Sequence, residues 1–146
     1  MSASMPVRIV LGSWEQLRDD AYPVRHEVFV VEQNVPVELE LDDDDPVSLH
    51  AVAYGPDGTA VATGRLLPDG HIGRMAVREA ARGKGVGGQV LEALVERGQA
   101  AGHAVLALNA QVHARGFYEA HGFSAEGAEF MDAGILHVAM LRGTRR

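Results

Sequence analysis

Apolar and polar positions alternate along Val7-Arg8-Ile9-Val10-Leu11, with β-branched residues among them, which predicts a first strand. The period then changes. Ser13-Trp14-Glu15-Gln16 has the spacing of a capping box, and Leu17, Ala21, Val24 and Val28 follow at helical intervals. Pro23 falls inside that run. Proline lacks an N–H and crowds the preceding turn, so two short helices are expected rather than one. Residues 33–48 hold two prolines and the run Asp42-Asp43-Asp44-Asp45, and read as a long loop.

Strand character returns over residues 49–54, 59–67 and 71–77. Gly55-Pro56-Asp57-Gly58 and Pro68-Asp69-Gly70 separate these segments. In both turns proline presets φ and glycine accepts a positive φ, so an antiparallel meander is the simplest arrangement. A longer helix is expected over residues 85–101, with Val86, Val90, Leu91 and Leu94 on one side and Gly102 at its end. A strand at 104–109 follows, then a short helix at 114–121 closed by Gly122, then strands near 123–125 and 136–141. The order is β-α-α-β-β-β-α-β-α-β-β. No internal repeat is visible, and residues 1–146 are expected to form one domain. Residues 1–5 and 143–146 read as flexible ends, and Arg142, Arg145 and Arg146 as a solvated tail.

Composition narrows the options. A chain of 146 residues that is 47% hydrophobic can bury a sizeable core. No secretory pattern and no apolar run near the ~18 residues of a membrane span are present. Cysteine is absent, which excludes disulfides, thiolate metal sites and a cysteine nucleophile, and fits a cytoplasmic location. A net charge of −7 argues against a nucleic-acid partner. The histidines show no H-E-x-x-H pattern, so no catalytic metal is expected. The aspartate run lacks the spaced oxygens of a calcium loop and reads as a solvated acidic loop; bordering a cleft, it would favour cationic acceptors.

The segment Arg82-Gly83-Lys84-Gly85-Val86-Gly87-Gly88 carries the most chemistry. It holds four glycines and two cations, and Lys84 is the only lysine of the chain. Glycines let backbone N–H groups approach a ligand, and the following helix start adds unpaired donors and positive dipole charge. The combination suits a phosphate or pyrophosphate. A P-loop would need a hydroxyl after the lysine, where Gly85 stands. Gly83-x-Gly85-x-x-Gly88 satisfies the dinucleotide pattern, but residues 78–82 separate it from the preceding strand. The next strand ends in Leu108-Asn109 without the expected acid.

Arg82-x-x-Gly85-x-Gly87 resembles the pyrophosphate loop of the GNAT superfamily of N-acetyltransferases. Ala114-x-x-Phe117-Tyr118-Glu119-x-x-Gly122-Phe123 resembles that family's later helix-and-strand motif, and the two together cover residues 71–125. Arg25-His26-Glu27-Val28-Phe29-Val30-x-Glu32-Gln33, Gln111-x-His113 and Phe130-x-Asp132-x-Gly134-Ile135-x-His137 are similar to a bacterial branch called ElaA-like. The resemblance implies an α/β (α+β) fold with a mixed, mostly antiparallel central sheet flanked by helices. That sheet would splay between the strands at 71–77 and 104–109 to admit the pantetheine arm. Acetyl-coenzyme A would be the co-substrate. Its binding residues would be Met75, Ala76 and Val77 of the splayed strand, Arg82, Gly83, Lys84, Gly85, Val86, Gly87 and Gly88 of the loop, with Gln111 and Phe117. Gln111 departs from the asparagine that many members carry.

The reaction implied is direct attack of a primary amine on the acetyl thioester in a ternary complex. Tyr118, where the family carries a tyrosine, is the candidate acid for the leaving thiol, against a packing role. A lysine-like amine of pKa ~10.4 is only about one part in 2,500 neutral at pH 7, so a base would help. Glu32, His113, Asp132 and His137 are the candidates, with His113 and His137 foremost because a neutral imidazole accepts protons near pH 7; Asp132 could instead orient His137. The acceptor is a small-molecule or peptide amine, of a kind left open by the chain. The family also admits a homodimer, which no residue here establishes. A coenzyme-binding module without catalysis is the rival, and an interaction protein on the same fold the third reading.

Overall fold

The computed structural model describes residues 4–143. Residues 1–3 and 144–146, with Arg145 and Arg146 of the expected tail, lie outside the described residues.

The described residues form seven strands and four α-helices: β1 (Arg8–Gly12), α1 (Trp14–Arg25), α2 (Val37–Glu40), β2 (Leu49–Tyr54), β3 (Ala60–Leu66), β4 (Ile72–Val77), α3 (Val86–Ala100), β5 (Val105–Gln111), α4 (Arg115–Ala120), β6 (Ser124–Asp132) and β7 (Ile135–Gly143); the strands, α1, α3 and α4 stand in the expected order, and α2 is not the second helix expected beyond Pro23. The strands form two antiparallel groups, β1-β2-β3-β4 and β5-β7-β6. The two proline–glycine turns produce the meander β2-β3-β4, as their chemistry requires.

Both faces of the first group are covered. Along β2, Ala51 and Ala53 belong to the core under α3, whereas Val52 between them packs with Leu17 and Ala21 of α1. This is the period-two alternation of a strand buried on both sides. Val90, Leu91 and Leu94 of α3 are fully buried beside Leu106 and Met140, so α3 also spans the junction of the two groups. Gly64 lets the helix sit close: a Cβ there would lie 2.5 Å from Met75 Sδ and 3.0 Å from Leu94 Cδ1.

Four local expectations are corrected. The capping box at Ser13 forms with both hydrogen bonds, but Pro23 does not divide the helix. α1 runs through it and continues as a π-helical stretch, His26–Glu32. Burial of Val24, Arg25 and Val28 against the sheet holds the chain helical past the missing N–H. The 33–48 segment is not all loop, since it contains α2 and a 3₁₀ turn at Asp45–Val47. β6 is far longer than its sequence suggested. Its pattern is charged and glycine-broken, and pairing with β7 around a bulge between Glu126 and Phe130 creates it. Arg142 is not part of a solvated tail. It lies in β7, bonded to Glu92 of α3 and the His121 carbonyl.

Candidate functional site

β4 and β5 run in the same direction but join only near their starts. His71 and Ala107 form a parallel bridge, and the Ala107 N–H donates to the Gly70 carbonyl at 3.1 Å. Beyond this bridge, among the described residues, no ladder connects them, and the sheet opens as a wedge toward Val77 and Gln111. β4 is also bulged. Thr63 faces Ala76 and Arg65 faces Gly73, so three steps of β4 oppose two of β3. Arg74 takes up the extra residue with φ +49. A bulge re-aims a strand and leaves peptide groups off the ladder, here next to Met75, Ala76 and Val77.

The glycine loop leads from the end of β4 to the start of α3. Gly83 and Gly85 have φ of +75 and +80, and Gly85 is the helix N-cap. Neither has an atom within 4 Å of the place a Cβ would take, so backbone conformation, not space, calls for glycine there. Gly87 and Gly88 differ. A Cβ on Gly87 would meet Val77 at 3.3 Å and Phe117 at 3.6 Å, and one on Gly88 would meet His121 at 3.0 Å. These two glycines let α4 lie against the first turn of α3. The N–H groups of Val86, Gly87 and Gly88 are the orphan donors of that turn, at the positive end of the helix.

α4 brings Phe117 and Tyr118 to this junction. The Tyr118 ring packs edge-on to Phe117 at 5.0 Å and to Phe123 at 6.1 Å. Its burial pushes the phenol pKa up to about 12. The group is therefore a protonated donor across the ordinary pH range.

Two neighbouring residues tie the open mouth together. At the end of the π-helical stretch, Glu32 pairs with Arg82, whose Nε also donates to the Val77 carbonyl at 2.9 Å. The next residue, Gln33, accepts at 2.8 Å from Nε2 of Gln111 at the end of β5. Gln111 Oε1 lies 2.6 Å from His113 Nε2. Gln111 is opposite His137, and His137 is opposite Phe130, so the three side chains share one face of the second group. His137 stacks on Phe130 at 5.9 Å and donates from Nδ1 to the Ile135 carbonyl at 2.7 Å, so backbone orients it. Asp132 is exposed beside the β6–β7 turn, opposite Ile135. Hydrogen bonding thus links Glu32 to the glycine loop and Gln111 to His113. His137 is set alongside Gln111, and Asp132 stands at the end of the hairpin.

The acidic run is not a solvated loop. Asp43 and Asp44 are exposed, but Asp42 and Asp45 turn inward onto arginines. Asp45 receives Arg25 Nη1 at 2.7 Å and Arg65 Nη1 at 2.8 Å. Asp42 receives Arg65 at 2.6 Å and Arg74 at 3.0 Å. Glu40 accepts from Arg25 Nε at 2.6 Å. Arg74, the bulge residue, also donates to the Glu40 and Leu39 carbonyls, which clamps the bulge from behind. The Arg65 hydrogen bond, opposed by burial, lowers the Asp42 carboxyl to about 2. Burial pushes Asp45 up, but the Arg25 hydrogen bond and the charges of Arg25 and Arg65 outweigh it and hold Asp45 low. Sequence reasoning named Arg25 only within the ElaA-like stretch, without a structural role, and did not single out Arg65 or Arg74.

Among the described residues no cluster of three or more histidine, aspartate or glutamate side chains is placed to hold a metal ion, and no helix is long and apolar enough to cross a membrane.

Known proteins share this fold. The family model described as an acetyltransferase (GNAT) domain matches residues 17–142. The uncharacterized N-acetyltransferase YjcF of Bacillus subtilis (strain 168) is 37% identical over 139 residues, 93% of this chain and 99% of that protein. Two solved structures are similar throughout. An acyl-CoA N-acyltransferase from Pseudomonas aeruginosa has a TM-score of 0.84 at 30% identity, over 94% of this chain and 100% of that one. Escherichia coli ElaA has a TM-score of 0.83 at 30% identity, over 92% and 99%.

Proposed function

This chain belongs to the GNAT acetyltransferase family, and on that premise we propose that it moves the acetyl group of acetyl-coenzyme A to a primary amine by direct attack. The observation that carries this reading is the wedge between β4 and β5, with the glycine loop at its rim. The loop and the α3 start supply clustered N–H donors, with Arg82 and Lys84, for the diphosphate. The edge of the bulged β4 at Met75 to Val77 borders the wedge and would bond the pantetheine arm through its backbone, with an N–H there to polarise the thioester carbonyl. Phe117, exposed beside Gly87, flanks the coenzyme, and Gln111 borders it from β5.

The chemistry needs two proton transfers. The amine nitrogen attacks the carbonyl carbon, the C–S bond breaks, and the departing sulfur takes the Tyr118 proton. The amine loses its own proton to a base. His113 is the base we favour, because the Gln111 amide oxygen accepts from its Nε2–H and leaves Nδ1 with a free lone pair. Glu32, Asp132 and His137 are assigned no proton transfer. The absence of cysteine removes a thiol acyl-enzyme. The described residues form one acetyltransferase unit in this reading, working in the cytoplasm on a small-molecule or peptide amine.

Purified protein incubated with acetyl-coenzyme A and a panel of amines tests this reading. Free thiol should appear only when an acceptor is present, with the acetylated amine as co-product and no mass added to the protein. Coenzyme binding without turnover across a broad panel would instead identify a binding module.

A further inference from the structure

Arg82 has two partners within the chain. Its Nε is held by the Val77 carbonyl, and its terminal nitrogen is paired with the Glu32 carboxylate. A carboxylate on that guanidinium satisfies the charge that a diphosphate oxygen bound at the glycine loop would otherwise claim. Both side chains are accessible, at 44% and 30%, so the pair can open without unpacking the core. Glu32 is adjacent in sequence to Gln33, which is bonded to Gln111 across the wedge mouth. A Glu32 carboxylate released from Arg82 therefore stays beside Gln111 and His113, on the side where an amine must approach the thioester.

We propose that Glu32 is an internal competitor of the donor for Arg82, and that donor binding frees its carboxylate to receive the cationic amine. The inference rests on the assignment of acetyl-coenzyme A to the glycine loop. It assigns Glu32 a positioning role and makes binding ordered, donor before acceptor. It also specifies the acceptor class as amines that arrive protonated. The ammonium held by Glu32 first loses one proton through the base to solvent, and the neutral amine then attacks and gives its second proton to that base.

The test has opposite signs for the two substrates. An exposed ion pair is worth up to about 1 kcal/mol, about fivefold in an equilibrium constant. Glu32→Gln should therefore tighten coenzyme A binding about three- to fivefold by calorimetry, while raising KM for the amine. A merely structural Glu32 would weaken both. Glu79→Gln removes the same charge from an exposed position just before the loop, and controls for the general field. In an Arg82→Gln background the Glu32→Gln gain should vanish. Unchanged or weaker coenzyme binding by Glu32→Gln, an equal gain from Glu79→Gln, or a gain that survives without Arg82 would each overturn the proposal. Failure of the unmodified protein to bind coenzyme A would overturn the donor assignment instead.

Discussion

His113 Nε2 lies 2.6 Å from Gln111 Oε1. An amide oxygen only accepts, so the ring proton sits on Nε2 and Nδ1 is left basic. Gln33 fixes the amide by accepting from its nitrogen at 2.8 Å. A well-placed base contributes roughly 10²–10⁴ in rate, so His113→Ala should lower kcat about 10²-fold. Gln111→Leu removes the orienting bond but keeps the imidazole, so its loss should be smaller, about tenfold. Initial-rate kinetics at saturating donor measure both, and equal activity in His113→Ala would remove the histidine from the mechanism.

Tyr118 offers a cleaner test, because its ring and hydroxyl do different things. The ring packs between Phe117 and Phe123, and phenylalanine keeps that packing. Tyr118→Phe should therefore hold its melting temperature within a few degrees while kcat falls about 10²-fold. With the phenol raised to about 12, the acid stays protonated through pH 10. The rate should show no alkaline decline from this group below that point.

The phosphate loop makes a prediction about binding rather than rate. Replacing Arg82 and Lys84 together with glutamine removes two charges from the rim. Coenzyme A affinity should fall about tenfold or more, with a stability change within about 0.5 kcal/mol. Gly85→Ala would place a Cβ at φ +80, which costs about 1–2 kcal/mol and moves the α3 donors. Calorimetric titration alongside thermal melts separates the two effects.

The inward-facing aspartates set an acid limit on stability. Asp42 is depressed in the folded state, to about 2, and Asp45 is depressed as well. Their contribution is complete above the unfolded carboxylate pKa of ~3.9 and is lost as pH falls through the folded values. Melting temperature should thus hold from pH 7 to about 5 and drop steeply between about 4 and 2. Arg25→Met takes the 2.6 Å partner from buried Glu40 and leaves Asp45 with Arg65 alone, and should cost about 3–5 kcal/mol. Chemical denaturation at pH 7 measures it.

Much of the frame was legible in the chain because its signals are local. The capping box at Ser13, the two Pro-Asp-Gly turns and the α3 face each occupy a few consecutive residues, and each formed where expected. The misjudged pieces depend on partners remote in sequence. Pro23 reads as a breaker until Val24, Arg25 and Val28 are seen to be buried. Asp45 reads as solvated until Arg25 and Arg65 arrive from 20 residues away on either side.

By itself, the sequence determined the order of the strands and of the two later helices, and an anion-seeking glycine loop ahead of a helix, since each follows from backbone sterics and short-range periodicity. The parting of β4 and β5 was expected from the family resemblance alone, and only the tertiary structure placed its start at His71 and Ala107. It also decided that Arg74 forms a clamped bulge and that Glu32 meets Arg82. Those contacts join residues 32 to 50 positions apart. Their energy comes from charges and hydrogen bonds that exist only once the sheet has brought them together, so no local pattern in the chain announces them.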